Sequence, residues 1–266
     1  MVNNIIVGDT TRGPFEIVDS NRIRVLGGYV DNNWEDPNAE AAPIRVRASN
    51  DTIHDILIES VTARQNACVS GLHVVVFWNF LENVAVRNCY LVGNGTNESA
   101  GILFHALHYE DNVVTRRGIS VTGNVIKNNQ IAVALATTDS ATKMSGVNIT
   151  GNTFFDDQPT PTQTTGVLLK TNSLPPSDFI EDGTLTISAN TFGRGITTTV
   201  DNLANVDRYA IGGQGANNNA GVGGTMWWVR TGAPTFNAPN GDTAIRADGG
   251  SGSTFYVREG GSWVAK

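Results

Sequence analysis

From Ile23 to Val200 the chain carries short runs in which apolar residues recur two apart, separated by Gly, Asn, Asp and Thr. That spacing puts alternate side chains on one face of a strand, whereas no stretch of a dozen residues keeps the i, i+3, i+4 spacing of a helix. Three runs overlay directly: ISVTGNVIKNN from Ile119, VNITGNTFFDD from Val147 and LTISANTF from Leu185. Weaker copies begin at Ile23, Ile56 and Val84, and successive starts lie 33, 28, 35, 28 and 38 residues apart. This is one irregular period whose slack falls in loops. A unit of about 30 residues cannot bury its own apolar face, so copies must stack on one another.

Each copy places Gly28, Val61, Cys89, Asn124, Asn152 or Asn190 five residues after its start. A stacked Asn at a bend can hydrogen-bond the equivalent backbone of the next coil. Two residues further come Val30, Ala63, Leu91, Ile126, Phe154 and Phe192, which should point inward and stack. Five copies continue into a second strand, read as Ile44–Arg47, Leu72–Val75, Ile102–His105, Ile131–Ala134 and Val167–Lys170. The pattern predicts an all-β chain: a right-handed parallel β-helix of about six coils over residues 1–200. At ~4.8 Å per coil it makes a rod of roughly 30 Å. A Gly- and Asn-rich connector follows over 201–224. Short alternating strands around Gly-rich turns then predict a small hairpin module over 225–266.

Composition agrees with a turn-rich β protein, with 29 Gly and 16% charged residues. A net charge of −7 without a long basic run excludes nucleic acid as the main partner. Cys68 and Cys89 fit neither a disulfide framework nor a zinc motif and read as small buried hydrophobes. The polar start and an apolar run no longer than Val74–Trp78 are read as showing no signal peptide and no membrane insertion.

The runs ISVTGNVIKNN and VNITGNTFFDD resemble the pectin-lyase-like superfamily of parallel β-helices, which includes polysaccharide lyases, glycoside hydrolases, uronan epimerases and phage tailspikes. The resemblance covers about two thirds of the chain and implies a carbohydrate ligand. The end, from Ala238 to Lys266 (APNGDTAIRADGGSGSTFYVREGGSWVAK), is similar to a short tail found on phage tail-fibre and tailspike-like proteins. That resemblance implies a homotrimer, a virion (phage tail) or extracellular location, and a host surface polysaccharide as partner.

Action on a polysaccharide needs either a pair of carboxyls or a base flanked by cations. If the apolar residues of the second strands face inward, Arg45, Arg47, His73, His105 and Lys170 face outward on one sheet. Arg45 with His73, and Arg47 with His105, then form two columns of a cationic wall. Ordinary solvated surface positions would look the same. His105 and His108 with Tyr109-Glu110-Asp111 are the densest acid–base cluster, but two histidines three apart on a strand face opposite sides, which argues against metal. The loop around Trp34, Glu35 and Asp36 offers a ring for sugar stacking beside two carboxylates. Candidate catalytic residues are therefore His73, His105, Glu35 and Asp36, and candidate substrate-binding residues are Arg45, Arg47, Trp34 and Lys170. Asp156 and Asp157 read as turn residues. No cofactor is implied, and calcium at the acidic loops lacks a complete ligand set.

The expectation is a tailspike-like or tail-fibre-like protein that recognises a host polysaccharide, with its cleavage left open. A free-standing lyase or hydrolase and a purely structural spike are the alternatives.

Overall fold

A computed structural model of the chain describes all residues except 1, 11–14, 33–41, 49–52, 66–72, 79–80, 94–98, 107–114, 138–142, 172–179, 181–183, 203–208, 213–226, 231, 236–242, 247 and 251–253. Among the described residues every regular element is a strand and none is a helix. The strands stack in parallel as a β-solenoid. One sheet has seven strands: Phe15–Val18, Ile44–Arg47, Val75–Trp78, Ala100–Ala106, Ile131–Thr137, Thr165–Thr171 and Thr198–Asn202. The remaining solenoid strands form a second, bent sheet that the chain enters before and leaves after each pass through the first.

The repeat alignment is reproduced in the pairing. Ile56 lies against Val84, Val84 against Ile119, and the strand from Ile119 runs beside the one from Val147. Val147 in turn pairs with Leu185. The inward column Val30–Ala63–Leu91–Ile126–Phe154–Phe192 is continuous from coil to coil. These side chains, with Ile56, Ile58, Val84, Val86, Ile119, Val121, Ile149 and Ile187, fill one elongated core.

Bends fall in columns as well. Gly27, Ser60, Asn88, Gly123, Gly151 and Ala189 all have positive φ and stand one residue before the ladder position. A second column, Arg22, Asp55, Asn83, Gly118 and Gly146, also has positive φ. It inserts an extra residue into the alternation, so Ile53 and Ile56, or Leu81 and Val84, both face inward although they are three apart.

The asparagines form the ladder that their spacing predicts. Asn152 Oδ1 accepts from the amide of Asn124 at 3.0 Å and from its Nδ2 at 2.9 Å, while Asn152 Nδ2 donates to Val121 O at 2.9 Å. Asn190 repeats this beneath Asn152. Asn124 Oδ1 accepts from the amide of Cys89, where the ladder ends. The Cys89 thiol contacts Ile58 O, the carbonyl equivalent to the one an Asn amide would reach. Cys89 is buried, as its reading as a small hydrophobe requires, and burial raises its pKa to about 11. Cys68 lies outside the described residues.

Two second strands differ from their predicted register. Val75, not Leu72, pairs with Ile44 and Ile102, and Val133, not Ile131, pairs with Ile102. The run Val74–Trp78 is apolar throughout, so alternation alone cannot choose its phase. The structure puts Phe77 inward, where its ring stacks on Phe104 with centroids 4.6 Å apart.

At the C-terminal end, Trp227–Arg230 pairs in parallel with Thr243–Arg246, which then forms an antiparallel sheet with Phe255–Glu259 and Ser262–Ala265. Tyr256 and Ala244 are its buried centre, with Trp263 packed against them and Arg258 over the Trp263 ring. One antiparallel pair, Ala210 with Trp228, ties this sheet to the last solenoid strand.

Candidate functional site on the seven-stranded sheet

The outward residues of the seven-stranded sheet fall into two columns. The first runs Glu16–Arg45–Val76–Leu103–Ala134–Leu168–Asp201. The second runs Arg47–Trp78–His105–Ala136–Lys170. Arg47 and His105 thus share a column two coils apart, and Lys170 continues it two coils further.

His73 does not join Arg45. It precedes the strand Val75–Trp78, and Val76 is the residue beside Arg45. The register set by the Phe77–Phe104 stack is the reason. His73 is partly buried, and its Nδ1 accepts from the Ala100 amide at 2.9 Å. Burial, and then the neighbouring His105, bring its pKa down to about 4.

Nor is the sheet face an open wall. Val76, Leu103 and Ala134 are only 1%, 9% and 3% exposed although they point away from the bore. With Ala42, Trp78 and Ala100 they form a second apolar cluster outside the main core. Along the second column, the rim of the sheet, Arg47 and Lys170 reach solvent and His105 is partly exposed.

Arg45 is committed within the protein. Its Nε donates to Glu16 Oε1 at 2.8 Å, and its guanidinium lies 5.3 Å from the centre of the Trp78 ring. Arg47 Nε approaches the same Glu16 oxygen at 3.6 Å. One carboxylate thus stands between two guanidiniums.

Behind His105 stands an unpredicted residue. Arg116 is 0% exposed and occupies a bore column otherwise made of Ile53, Leu81, Met144 and Ile180. Its Nη2 donates to the backbone carbonyl of His105, while Nε and Nη1 have no hydrogen-bond partner among the described residues. Burial lowers the Arg116 pKa to about 9. The His105 pKa falls to about 4, through burial first and then the charges of Arg116 and Lys170. At neutral pH His105 is therefore an uncharged imidazole set among cations. The aligned triplets Ile53-x-x-Ile56, Leu81-x-x-Val84 and Met144-x-x-Val147 would have revealed Arg116, since Arg116-x-x-Ile119 takes the same place.

The described carboxylates on this face, Glu16 and Asp201, stand at opposite ends of one column. Six strand spacings separate them, roughly 29 Å, far beyond the span of a hydrolytic pair. Asp156 is a buried loop organiser: its carboxylate accepts from the amides of Gln158, Thr162 and Gln163. Asp157 is exposed and bonds Lys127. Both occupy the turn that the sequence assigns to them.

Trp34, Glu35 and Asp36 lie outside the described residues, as do His108, Tyr109, Glu110 and Asp111. Among the described residues no three His, Cys, Asp or Glu side chains come together as a metal site would require.

No protein-family model matches the chain, and no curated protein or solved structure matches it either.

Proposed function

We propose that this chain is a tailspike-like or tail-fibre-like protein of the pectin-lyase-like type that recognises an acidic surface polysaccharide, acting as a homotrimer on a virion. The observation that carries the reading is the straight rim column Arg47–Trp78–His105–Ala136–Lys170. It sets two cations and an imidazole along the axis at two-coil intervals, about 9.6 Å each. A pyranose chain advances by about one coil spacing per sugar, so an extended glycan laid along the rim stays in step with these groups. The net charge of −7 confines attraction for a polyanion to such a local line. The phage-type run from Ala238 to Lys266 supports the virion and trimer parts of the proposal.

The test is binding to acidic and neutral capsular polysaccharides at low and high salt. Acidic chains should bind, weaken as salt rises, and bind poorly to the double variant Arg47→Ser, Lys170→Ser. Binding that ignores both salt and the double variant would reject the rim. Light scattering should give three copies, and a stable monomer rejects the trimer.

One observation favours a second reading, a polysaccharide lyase. His105 and Lys170, two coils apart in one rim column, would set a neutral base in line with a cation, the combination that proton abstraction beside a uronate carboxylate uses. Accumulation of the ultraviolet-absorbing unsaturated uronate, lost in His105→Ala, distinguishes this reading from recognition alone.

A further inference from the structure

Arg116 breaks the rule that every other member of its column obeys. Its neighbours across the strands, Leu81 and Met144, are fully buried apolar residues of the bore. A guanidinium placed there is stripped of water, and among the described residues only one of its three nitrogens has a partner, the His105 carbonyl. An apolar side chain of similar volume would suit the column better, because a buried charge without a counter-charge is costly. Such a group is retained at a functional corner more readily than in a purely structural one.

The groups around that corner are also of one sign or neutral. His105 lies on the rim between Trp78 and Ala136 in its own column, with Arg47 two coils to one side and Lys170 two coils to the other. The nearby titratable groups are His73, Arg116 and Lys170, and no carboxylate acts on the His105 ring. Among the described residues no carboxylate offsets the positive charge of Arg116, which lies directly behind the rim.

We propose that this corner is a carboxylate-binding subsite, in which His105 and Lys170 contact a monoanionic carboxylate and Arg116, from within the bore, supplies the unneutralised charge that holds it. The inference rests on the rim reading above and assigns its anion-selective position. Arg116 is a positioning residue here: it fixes the His105 carbonyl and acts on the anion through space. In the free protein His105 is neutral, and a bound carboxylate makes its protonated form favourable.

The test uses the full chain, with sodium glucuronate, acetate and glucose as probes and the His105 ring followed by nuclear magnetic resonance. Glucuronate and acetate should raise the His105 titration midpoint, and glucose should leave it in place. Arg116→Met should raise that midpoint without ligand and weaken glucuronate binding on the order of ten-fold. Arg116→Lys, which keeps the charge, should restore most of the affinity. Lys170→Met should weaken binding while leaving the fold intact. An unchanged midpoint in Arg116→Met, or glucuronate bound as tightly as by the wild type, overturns the subsite. If the wild type binds acidic polymer and Arg116→Met binds it equally, the subsite fails and the rim reading stands. If the wild type binds neither polymer nor glucuronate, both fail.

Discussion

Replacing Asn152 with alanine removes the middle rung of the asparagine ladder and leaves the strands around it in place. The side chain is buried and makes four contacts of hydrogen-bond length: two accepted from Asn124, one donated to Val121 O and one donated to Asn190 Oδ1. Alanine keeps the Asn152 amide, which still donates to Asn190. The Asn124 amide, however, loses the acceptor provided by Asn152. Three lost bonds at about 1 kcal/mol each, plus an orphaned buried amide at about 1–3 kcal/mol, give about 4–6 kcal/mol. That is a large part of the 5–15 kcal/mol typical of a folded domain. Urea unfolding followed by circular dichroism measures it, with the slope against denaturant expected to stay constant. Cys89→Ala serves as the control, because Cys89 holds the same ladder position and contributes only weak thiol contacts to Ile58 and Arg87 carbonyls. It should cost about 1 kcal/mol beyond its lost thiol packing. If Asn152→Ala costs no more than Cys89→Ala, the ladder is not what holds these coils in register.

Ala189 is exposed and has φ +53°, the only alanine in a column otherwise filled by Gly, Ser and Asn. Ala189→Gly should stabilise the chain by about 1 kcal/mol, seen as a higher melting temperature, because the left-handed backbone penalises a Cβ. At Gly166 a Cβ would meet the Phe192 ring at 2.4 Å and Thr199 O at 2.6 Å. Gly166→Ala should therefore destabilise by about 1–3 kcal/mol in the same melts. His73 and His105 have folded pKa values near 4, below the usual histidine value of 6.5. The unfolded chain then takes up protons first, so their contribution is full above pH 6.5 and is lost as pH falls from 6.5 towards 4. Denaturation at pH 7, 5.5 and 4.5 should show this fall, and His73→Asn, which keeps an acceptor for the Ala100 amide, should flatten it. An equally steep fall in His73→Asn would count against the buried-histidine account.

The first-strand part of each coil was legible in the sequence because its repeats carry no insertions inside them. From repeat start to the residue at Val30, Ala63, Leu91, Ile126, Phe154 or Phe192 the spacing is constant, so alignment alone aligned the bore and the ladder. The second strands follow loops of unequal length, and there packing takes over from pattern. Nothing local in Val74–Trp78 selects a phase; the stack of Phe77 on Phe104 in the neighbouring coil does, and it removes His73 from the outward wall. The open rim and the covered middle of that wall were equally invisible, since Val76, Leu103 and Ala134 look outward by alternation and are buried only by tertiary context. Arg116 is legible by alignment with Ile53, Leu81 and Met144 but not by alternation. Strict alternation counted back from Ile119 puts it on the outer face. The left-handed residue at Gly118, φ +68°, shifts the phase by one and turns the arginine into the bore. Composition and period alone determined a stacked β-solenoid with an asparagine spine. Which outward residues reach solvent, and which are covered, was decided by contacts between coils that no single repeat contains.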